Sequence, residues 1–330
     1  CGEDRTYEYV AKTEEAHWIE NQMKDIYLYY QDMKEPEMEA YFYPPEEFFP
    51  QLLADADKYS YIDVPEEEQT RNNIQAVTYG FDFVLMNDRD LTGTTTHQVA
   101  RVLMVLGGES QPESPAYQAG LRRGDFITQI NGENVSTSNA EQLFNGPGAT
   151  LTIASPTIDP ETGNWTWSNE REITLAAAIA LENNPYYLQE IITPNGTGRK
   201  VGYMVYNDFR AGADENDLTD LTYLNQMPDF FHKCRQQGVT DFILDLRYNQ
   251  GGQVACAQAL ASMLAPSDKL GQEFAHLTFN DKRQDLNQTL PLLADYADYN
   301  LNLNRLFVLT GQYTASASEM MIYCLAPHME

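Results

Sequence analysis

The stretch Thr314-Ala-Ser-Ala-Ser-Glu319 is the part of the sequence that decides how the rest of the chain is interpreted. It lies between two apolar runs, residues 306–310 and 320–325, an order that predicts a strand, a turn and a helix beginning with small residues. Such a turn presents a hydroxyl at a helix N-terminus, where unpaired backbone N–H groups can stabilise a developing negative charge. The same letters, Ser316-x-x-Glu319, also form a capping-box pattern, which by itself indicates only the start of a helix.

A second motif, Asp245-Leu-Arg-Tyr-Asn-Gln-Gly-Gly252, follows another apolar run. Strands alternate with helices from about residue 188 onward, which predicts βαβ units and a largely parallel sheet. Both motifs would then lie at the carboxyl ends of strands, where open α/β sheets place their sites. Gly251 and Gly252 would let backbone N–H groups approach a ligand closely. The alternatives are a tight turn or a phosphate cradle, but the Lys-Ser/Thr pair of a P-loop is missing.

Composition restricts the classes of partner. The formal charge is −28, from 49 acidic and 21 basic residues, and this field repels nucleic acid and anionic lipid. No run approaches the length of a membrane-spanning helix. The thiols of Cys234, Cys256 and Cys324 lie in apolar patterns without metal-type spacing. We therefore predict no disulfide framework, no metal site and no cofactor.

The secondary structure predicted from the sequence changes twice along the chain, and this predicts three domains. Residues 1–71 form a small helical N-terminal domain, residues 72–180 a β module, and residues 181–330 an α/β core. Within the first domain, Trp18, Ile19, Met23, Ile26 and Tyr27 recur at helical spacing, and prolines interrupt the pattern that follows. The predicted fold class is therefore a multidomain α/β protein.

The β module resembles a PDZ domain of the bacterial protease type. The resemblance rests on Ser114-Pro-Ala116, Ala119-Gly-Leu121, Gly124-Asp125 and Ile130-Asn-Gly132. It places Tyr79, Gly80 and Phe81 in the loop whose backbone N–H groups receive a C-terminal carboxylate, while the ligand adds as a strand. The alternative is a β domain that binds no ligand or only packs on its neighbour.

The two motifs of the core resemble those of the C-terminal processing, or tail-specific, serine peptidases. Asp245 to Gly252 matches their D-L-R-x-N-x-G-G signature, and residues 314–319 match their S-A-S-A-S-E turn, with Thr314 in place of the first serine. The resemblance implies that Ser316 is the nucleophile and that Ala317 N–H and the N–H of Gly251 or Gly252 form the oxyanion hole. It also implies protein or peptide substrates with apolar C-terminal tails, which the PDZ module captures or gates.

One expected group is missing from the sequence. The family uses a lysine roughly 25 residues after the nucleophile as the base that accepts the serine proton. That position falls past Glu330, and none of the four histidines considered as a base, His97, His232, His276 and His328, lies in a recognisable partner motif. We expect that the chain is truncated and that the 330-residue form is inactive or nearly so.

The start of the chain leads to a further expectation. Cys1 followed by a polar lead resembles a bacterial lipoprotein after signal-peptide removal, which predicts a lipid on Cys1 and a location in the cell envelope. Membrane contact would then occur only through that lipid. Two other functions stay open at this point: an inactive PDZ-bearing scaffold that binds peptides, and a small-ligand-binding relative like the retinoid-binding proteins that share the core.

Overall fold

The computed structural model describes residues 6–62, 77–87, 98–107, 113–182, 184–213, 217 and 219–330. The helices are α1 Thr6–Ile26, α2 Pro45–Phe48, α3 Pro115–Gln118, α4 Thr222–Gln237, α5 Val254–Leu264 and α6 Ala317–Leu325. The strands are β1 Val77–Thr78, β2 Phe81–Asn87, β3 Gln98–Val105, β4 Phe126–Ile130, β5 Glu133–Asn134, β6 Ala149–Ile158, β7 Trp165–Leu175, β8 Ile179–Ala180, β9 Tyr186–Ile192, β10 Val201–Tyr206, β11 Asp241–Asp245, β12 Glu273–Leu277, β13 Gln288–Pro291 and β14 Phe307–Leu309. Short 3-10 helices occur between them, among them Met38–Phe42, Phe49–Leu52 and Ala140–Leu143.

The chain divides into two compact units, one of residues 1–73 and 269–294, the other of residues 74–268 and 295–330. The first unit is built on α1, whose buried face packs on the short helices that follow. Its core consists of Ala16, Ile19, Met23, Ala40, Phe48 and Leu52. Trp18 and Ile26, which the sequence places near the same face, are instead 62% and 52% exposed.

A hairpin formed by β12 and β13 belongs to this first unit, although it lies inside residues 181–330 in sequence. The buried side chain of Asn280 explains the association. Its Nδ2 donates to the carbonyls of Asp25 and Tyr27 at 2.9 and 3.0 Å, and so satisfies backbone acceptors at the C-terminal end of α1. Arg283 adds an ion pair with Asp25 at 3.0 Å.

Among the described residues, the second unit contains two larger sheets and a short two-stranded sheet of β1 and β8. The first has the strand order β2-β3-β4-β6-β7, with β5 paired to β4, and all of its pairs are antiparallel. Its apolar core is made by alternating side chains of the strands, such as Ala100, Ile127, Leu151 and Ile173. Loop residues also contribute to this core, among them Leu121 after α3.

The second sheet of this unit has the order β14-β11-β10-β9. Strands β10, β11 and β14 are parallel, and β9 adds antiparallel at the edge. Helix α4 packs its apolar face, including Phe231, on this sheet, where the Phe231 ring stacks on Phe242 at 5.5 Å. Pro228 lies within α4, which continues through it as one helix.

The predicted fold class is confirmed by these elements: a helical part, an antiparallel β module and an α/β core with parallel strands. Within the described ranges, no helix combines the length and the apolar character needed to cross a bilayer. Cys1 and His97 lie outside the described residues, so the expectations that concern them stay predictions.

Candidate active site

The two sequence motifs meet at one edge of the parallel sheet. β11 and β14 are parallel neighbours in which Asp245 is paired with Leu309. Because both strands end at the same level, the loops that follow them leave the sheet side by side. The glycine loop, residues 246–253, therefore lies next to the serine turn, residues 314–319.

The backbone of the serine turn is strained at Ser316. Its φ of 53° and ψ of −119° match the first central position of a type II′ turn, a conformation that favours glycine. The hydrogen bond of that turn runs from Ser318 N–H to Ala315 O at 3.0 Å. A non-glycine residue in such a region costs about 1–3 kcal/mol, and residues of this kind cluster at functional sites. The result is that the serine side chain is exposed immediately before α6.

The capping box predicted from the sequence contributes to this geometry. Glu319 Oε2 accepts the backbone N–H of Ser316 at 2.9 Å, and Met320 N–H donates to Ser316 O at 2.9 Å. The carboxylate lies in the first turn of α6, where a negative charge is favoured. Glu319 therefore starts the helix and also fixes the peptide group that carries Ser316.

Asn249 joins the serine turn to the glycine loop. Its carbonyl accepts the Ala315 N–H at 3.3 Å and the hydroxyl of buried Ser318 at 3.1 Å. Its own side chain is fully buried, with Nδ2 donating to Tyr206 O at 2.9 Å and Oδ1 accepting Gly251 N–H at 2.8 Å. In the sequence Asn249 is only one position of the motif from Asp245 to Gly252. Its link to the serine turn is visible only in the structure.

Thr314 makes a second link between the two segments. Its hydroxyl donates to Leu246 O at 2.8 Å and accepts Gly311 N–H at 2.9 Å. Both bonds need a hydroxyl and not a particular branching of the side chain. Thr314 can therefore make the same two hydrogen bonds as the serine that the family motif has at this position.

Gly251 is the glycine that contacts the serine. Its φ is +107°, and an added Cβ would lie 2.6 Å from Ser316 Cβ and 2.9 Å from Ala317 N. Gly252 approaches a different partner, because its Cβ would lie 2.4 Å from Phe209 O. The two adjacent glycines therefore have different functions: one allows the serine turn to approach, and the other allows the loop to pair with the segment after β10.

The backbone N–H groups around Ser316 differ in whether they have a partner. Gly251 N–H donates to Asn249 Oδ1, and Gly251 O accepts Phe209 N–H at 2.9 Å. In a trans peptide the next N–H points opposite to that carbonyl, so Gly252 N–H points away from Phe209. Among the residues that the structure describes, no hydrogen bond engages Gly252 N–H or Ala317 N–H. These two donors are available to an anion.

An ion pair between buried Asp245 and Arg247 lies at the start of the glycine loop. Asp245 is fully buried and accepts from Arg247 at 2.6–3.1 Å and from Tyr203 OH at 2.9 Å. Burial acts to raise the pKa of Asp245, but the hydrogen bonds from Arg247 outweigh it and hold this pKa below its usual value. The same pair raises the pKa of Arg247. The carboxylate is therefore a structural anion at neutral pH.

Several titratable side chains can be assigned to other contacts. His232 contacts Gln236 at 2.8 Å, and His276 contacts Thr289 Oγ1 at 2.9 Å. The Lys282 ammonium lies 3.7 Å from the centre of the Tyr30 ring. Burial raises the pKa of Cys256 to about 12, so this thiol stays protonated and is a poor nucleophile.

The PDZ loop differs from the serine site. Tyr79 N–H donates to Phe144 O at 3.1 Å, and Gly80 N–H donates to Thr78 Oγ1 at 3.1 Å. Two of the three predicted carboxylate donors are therefore engaged inside the module. Gly80 itself is required, since its φ is +79° and a Cβ would lie 2.2 Å from Ser114 Cβ.

Phe81 is placed differently from its two neighbours. It is paired with Val105, whose N–H and C=O both contact the hydroxyl of Tyr187, at 3.4 and 2.7 Å. Because the N–H and C=O of Val105 face away from β2, Phe81 and Val105 form a non-hydrogen-bonded pair of the antiparallel ladder. The N–H and C=O of Phe81 therefore face the outer edge of the sheet. β2 is the terminal strand of the described sheet.

Comparison with known proteins gives matches along most of the chain. The family model for peptidase family S41 matches residues 200–328, that for the PDZ domain residues 108–153, and that for the S41 N-terminal domain residues 14–61. The carboxyl-terminal-processing protease of Picosynechococcus is 31% identical over 217 residues, and the chloroplastic carboxyl-terminal-processing peptidase 3 of Arabidopsis thaliana is 27% identical over 213 residues. These alignments cover 64% and 63% of this chain but only 44% and 37% of the two relatives, so the chain spans less than half of their length.

A solved structure extends the comparison to nearly the whole chain. A protein from Bacteroides fragilis NCTC 9343, assigned to the S41 proteases, is 34% identical and superposes with a TM-score of 0.74. The match covers 95% of this chain and 76% of that one. The order of helical, PDZ and α/β parts, the two strand-end motifs and this similarity together show that the chain belongs to peptidase family S41.

Proposed function

We propose that the protein is a serine endopeptidase of the C-terminal processing type, with Ser316 as its nucleophile. The observation that carries the proposal is the exposed Ser316 in a strained turn, held against Gly251 and immediately before Ala317, whose N–H has no partner among the described residues. A helix cap alone requires neither the close glycine nor the positive φ. Membership of family S41 supports a serine-type hydrolase.

The residues present account for attack and charge stabilisation. Ser316 Oγ attacks the carbonyl carbon of the scissile bond and gives its proton to a base. The carbonyl oxygen becomes an oxyanion that accepts hydrogen bonds from Ala317 N–H and a glycine N–H. Collapse breaks the C–N bond, the amine leaves with the proton, and water then hydrolyses the ester on Ser316.

The sequence left two candidates, Gly251 and Gly252, for the glycine donor of the oxyanion hole, and their contacts favour one of them. Gly252 N–H is unengaged among the described residues, whereas Gly251 N–H would first have to leave Asn249 Oδ1. We therefore propose Gly252 and Ala317 as the donors, with Gly251 providing the space in which Ser316 and the substrate meet.

The base is the remaining part of the mechanism. No lysine follows Ser316 in the sequence, and His232 and His276 have other partners. We propose that the lysine used by the family is required and that the 330-residue chain alone has little or no activity.

The PDZ module is proposed to bind the C-terminal tail of a protein substrate along β2. The outward-facing main chain of Phe81 supports strand addition at this edge. Capture of a carboxylate by Tyr79 and Gly80 would require the loop to release Phe144 O and Thr78 Oγ1. The lipid on Cys1 and the location in the cell envelope stay predictions of the sequence.

The test compares the protein expressed from its complete gene with its Ser316→Ala variant, on a substrate protein that ends in an apolar tail. We expect cleavage by the first and at least about a 10³-fold loss in the variant, since removal of the nucleophile leaves only binding and oxyanion stabilisation. Ser138→Ala, which changes an exposed serine of the PDZ module, is the matched control and should cleave normally. Equal cleavage by the Ser316→Ala variant, or none by the unmodified protein, would overturn the proposal.

A further inference from the structure

The hairpin of β6 and β7 contains a bulge that the peptidase mechanism does not use. Ile153 is paired with Arg171 and Ser155 with Ser168, so Ala154 alone opposes Asn169 and Glu170. Asn169 has a φ of 54°, a left-handed conformation at the first position of the bulge. Bulges bend a strand and redirect side chains, and here the redirected residue is Glu170.

The bent hairpin carries an aromatic cluster on the outer face of the sheet. Trp165 and Trp167 are two residues apart on β7 and therefore share a face. Their ring centres are 5.7 Å apart, and each lies 5.7 Å from the ring of Phe126 in an edge-to-face arrangement. Phe126 is buried beneath them, whereas both indoles stay partly exposed. The cluster is thus a continuous aromatic surface that solvent can reach.

An open depression of about 210 Å³ lies beside Trp167. Its other polar lining residues come from several strands: Gln98, Thr128, Gln129, Asn134 and Glu170. Gln98 belongs to β3 and Trp167 to β7, although β4 and β6 separate these strands in the sheet. The hairpin must therefore curl over the face of the sheet, and this creates the depression.

The amide groups in the depression have fixed orientations. Gln98 Oε1 accepts Thr137 N–H at 2.7 Å, and Asn134 Oδ1 accepts from Gln129 Nε2 at 3.3 Å. Each of these two oxygens is therefore engaged, which leaves the NH₂ groups as donors. In the described part of the chain, no hydrogen bond engages these NH₂ groups or the Glu170 carboxylate.

This combination of groups matches the chemistry of a sugar. A pyranose ring has an apolar C–H face that packs on an indole, and hydroxyls at its rim that pair with amide donors and a carboxylate acceptor. We propose that the outer face of this sheet binds a neutral oligosaccharide, with one sugar ring on Trp167 and the next on Trp165. None of the residues that line the depression belongs to the serine site or to β2, and the proposal does not depend on the peptidase activity.

Charge and geometry argue against other occupants. The formal charge of −28 and the exposed Glu170 disfavour polyanions, so an acidic glycan would be a poorer ligand than a neutral one. A peptide that adds to a sheet needs the main-chain groups of an edge strand. The depression is instead lined by side chains across several strands of one face.

The test uses tryptophan fluorescence, because Trp18, Trp165 and Trp167 are the three tryptophans of the sequence. In a Trp18→Phe background the two indoles of the site are the only ones left. This protein is titrated separately with cellotriose, chitotriose and maltotriose. We expect a saturable change with at least one of them and a Kd on the order of 1 mM.

Variants show whether the response comes from this site. Trp167→Ala, read through Trp165, should raise the Kd at least about tenfold, and Glu170→Gln or Asn134→Ala about threefold. Glu141→Gln, an exposed carboxylate elsewhere in the module, should leave the Kd unchanged. If Trp167→Ala lowers the melting temperature too far for titration, the Glu170 and Asn134 variants decide.

Three results would overturn the proposal. The first is the absence of a saturable response to any of the three sugars, and the second is an unchanged Kd in the Trp167, Glu170 and Asn134 variants. The third is a saturable response to a peptide with an apolar tail and none to the sugars, which would assign the face to protein binding.

Discussion

The serine turn and the PDZ loop are both sites that the sequence identifies by a short motif, yet their backbone donors differ. Beside Ser316, the N–H groups of Ala317 and Gly252 are unengaged among the described residues. In the PDZ loop, the N–H groups of Tyr79 and Gly80 already donate to groups of the same module. The serine turn therefore presents open donors, whereas a ligand of the PDZ loop must compete with Phe144 O and Thr78 Oγ1 for the N–H groups of Tyr79 and Gly80.

The difference comes from side chains that neighbour each motif. At the serine site, Asn249 uses its amide to bond Gly251 N–H, but a second glycine follows and supplies another donor. In the PDZ loop, the hydroxyl of Thr78 occupies Gly80 N–H, and the chain offers no second glycine there. A motif therefore indicates where donors lie, and the neighbouring acceptors determine whether these are available.

The largest expected effect comes from Gly251→Ala. The new Cβ would lie 2.6 Å from Ser316 Cβ, and the residue would have to hold a φ of +107°. In the protein that carries the base, we expect kcat/KM to fall by at least about 10³, because the added Cβ would displace both Ser316 and the donor Ala317 N–H, which lies 2.9 Å from it.

Gly238→Ala is the matched control for that variant. Gly238 ends α4 with a φ of +72°, and an added Cβ there meets nothing within 4 Å. It should lower stability by about 1 kcal/mol and leave kcat/KM unchanged. Normal activity of Gly251→Ala would show that the glycine loop does not border the reacting centre.

Asn249→Ala should mainly reduce stability. The change removes two hydrogen bonds in a fully buried position and leaves Tyr206 O and Gly251 N–H without partners. We expect a loss of about 2–4 kcal/mol, seen as a lower unfolding midpoint in urea. A midpoint equal to that of the unmodified protein would contradict the joining role of this side chain.

Arg247→Ala should destabilise the protein in a pH-dependent way. The pKa of Asp245 is lowered in the folded protein, so its contribution is present above its unfolded pKa of about 3.9 and is lost as the pH falls through the folded value. Without Arg247, burial dominates, the pKa of Asp245 rises, and the buried carboxylate costs about 2–3 kcal/mol at pH 7.

The stability difference between Arg247→Ala and the unmodified protein should therefore shrink as the pH is lowered from 7 to about 3.5. Unfolding midpoints at several pH values measure it. Arg199→Ala is the control, because Arg199 is exposed and 3.8 Å from Asp241, and it should cost less than about 1 kcal/mol. A difference that stays constant with pH would exclude the proposed role of the ion pair.

The smallest effect is expected for Thr78→Val, which frees Gly80 N–H with little change of shape. A peptide with a free C-terminal carboxylate should bind about three- to tenfold more tightly, in keeping with one additional hydrogen bond to a charged group. The amidated form of the peptide should bind unchanged. If the unmodified protein already prefers the free carboxylate by more than about tenfold, the loop is open in solution and the contrast with the serine site fails.

The sequence was sufficient for the fold class and for the nearness of the two core motifs, since strand ends of a parallel sheet share an edge. It could not distinguish Gly251 from Gly252, because their functions depend on Ser316 and Phe209, which are distant in sequence. The grouping of the β12–β13 hairpin with α1 depends on Asn280, more than 250 positions from the carbonyls that it binds. Contacts over such separations leave no local pattern of spacing or hydropathy.

The most direct test of Ser316 as the nucleophile is the position of covalent labelling by a fluorophosphonate, which reacts with activated serine nucleophiles. The protein expressed from its complete gene is treated, digested and mapped by mass spectrometry, beside its Ser316→Ala and Ser138→Ala variants. We predict one adduct, on Ser316, that is lost in the first variant and kept in the second. An adduct on another residue, or no adduct on a protein that cleaves its substrate, would contradict the assignment of Ser316 as the nucleophile.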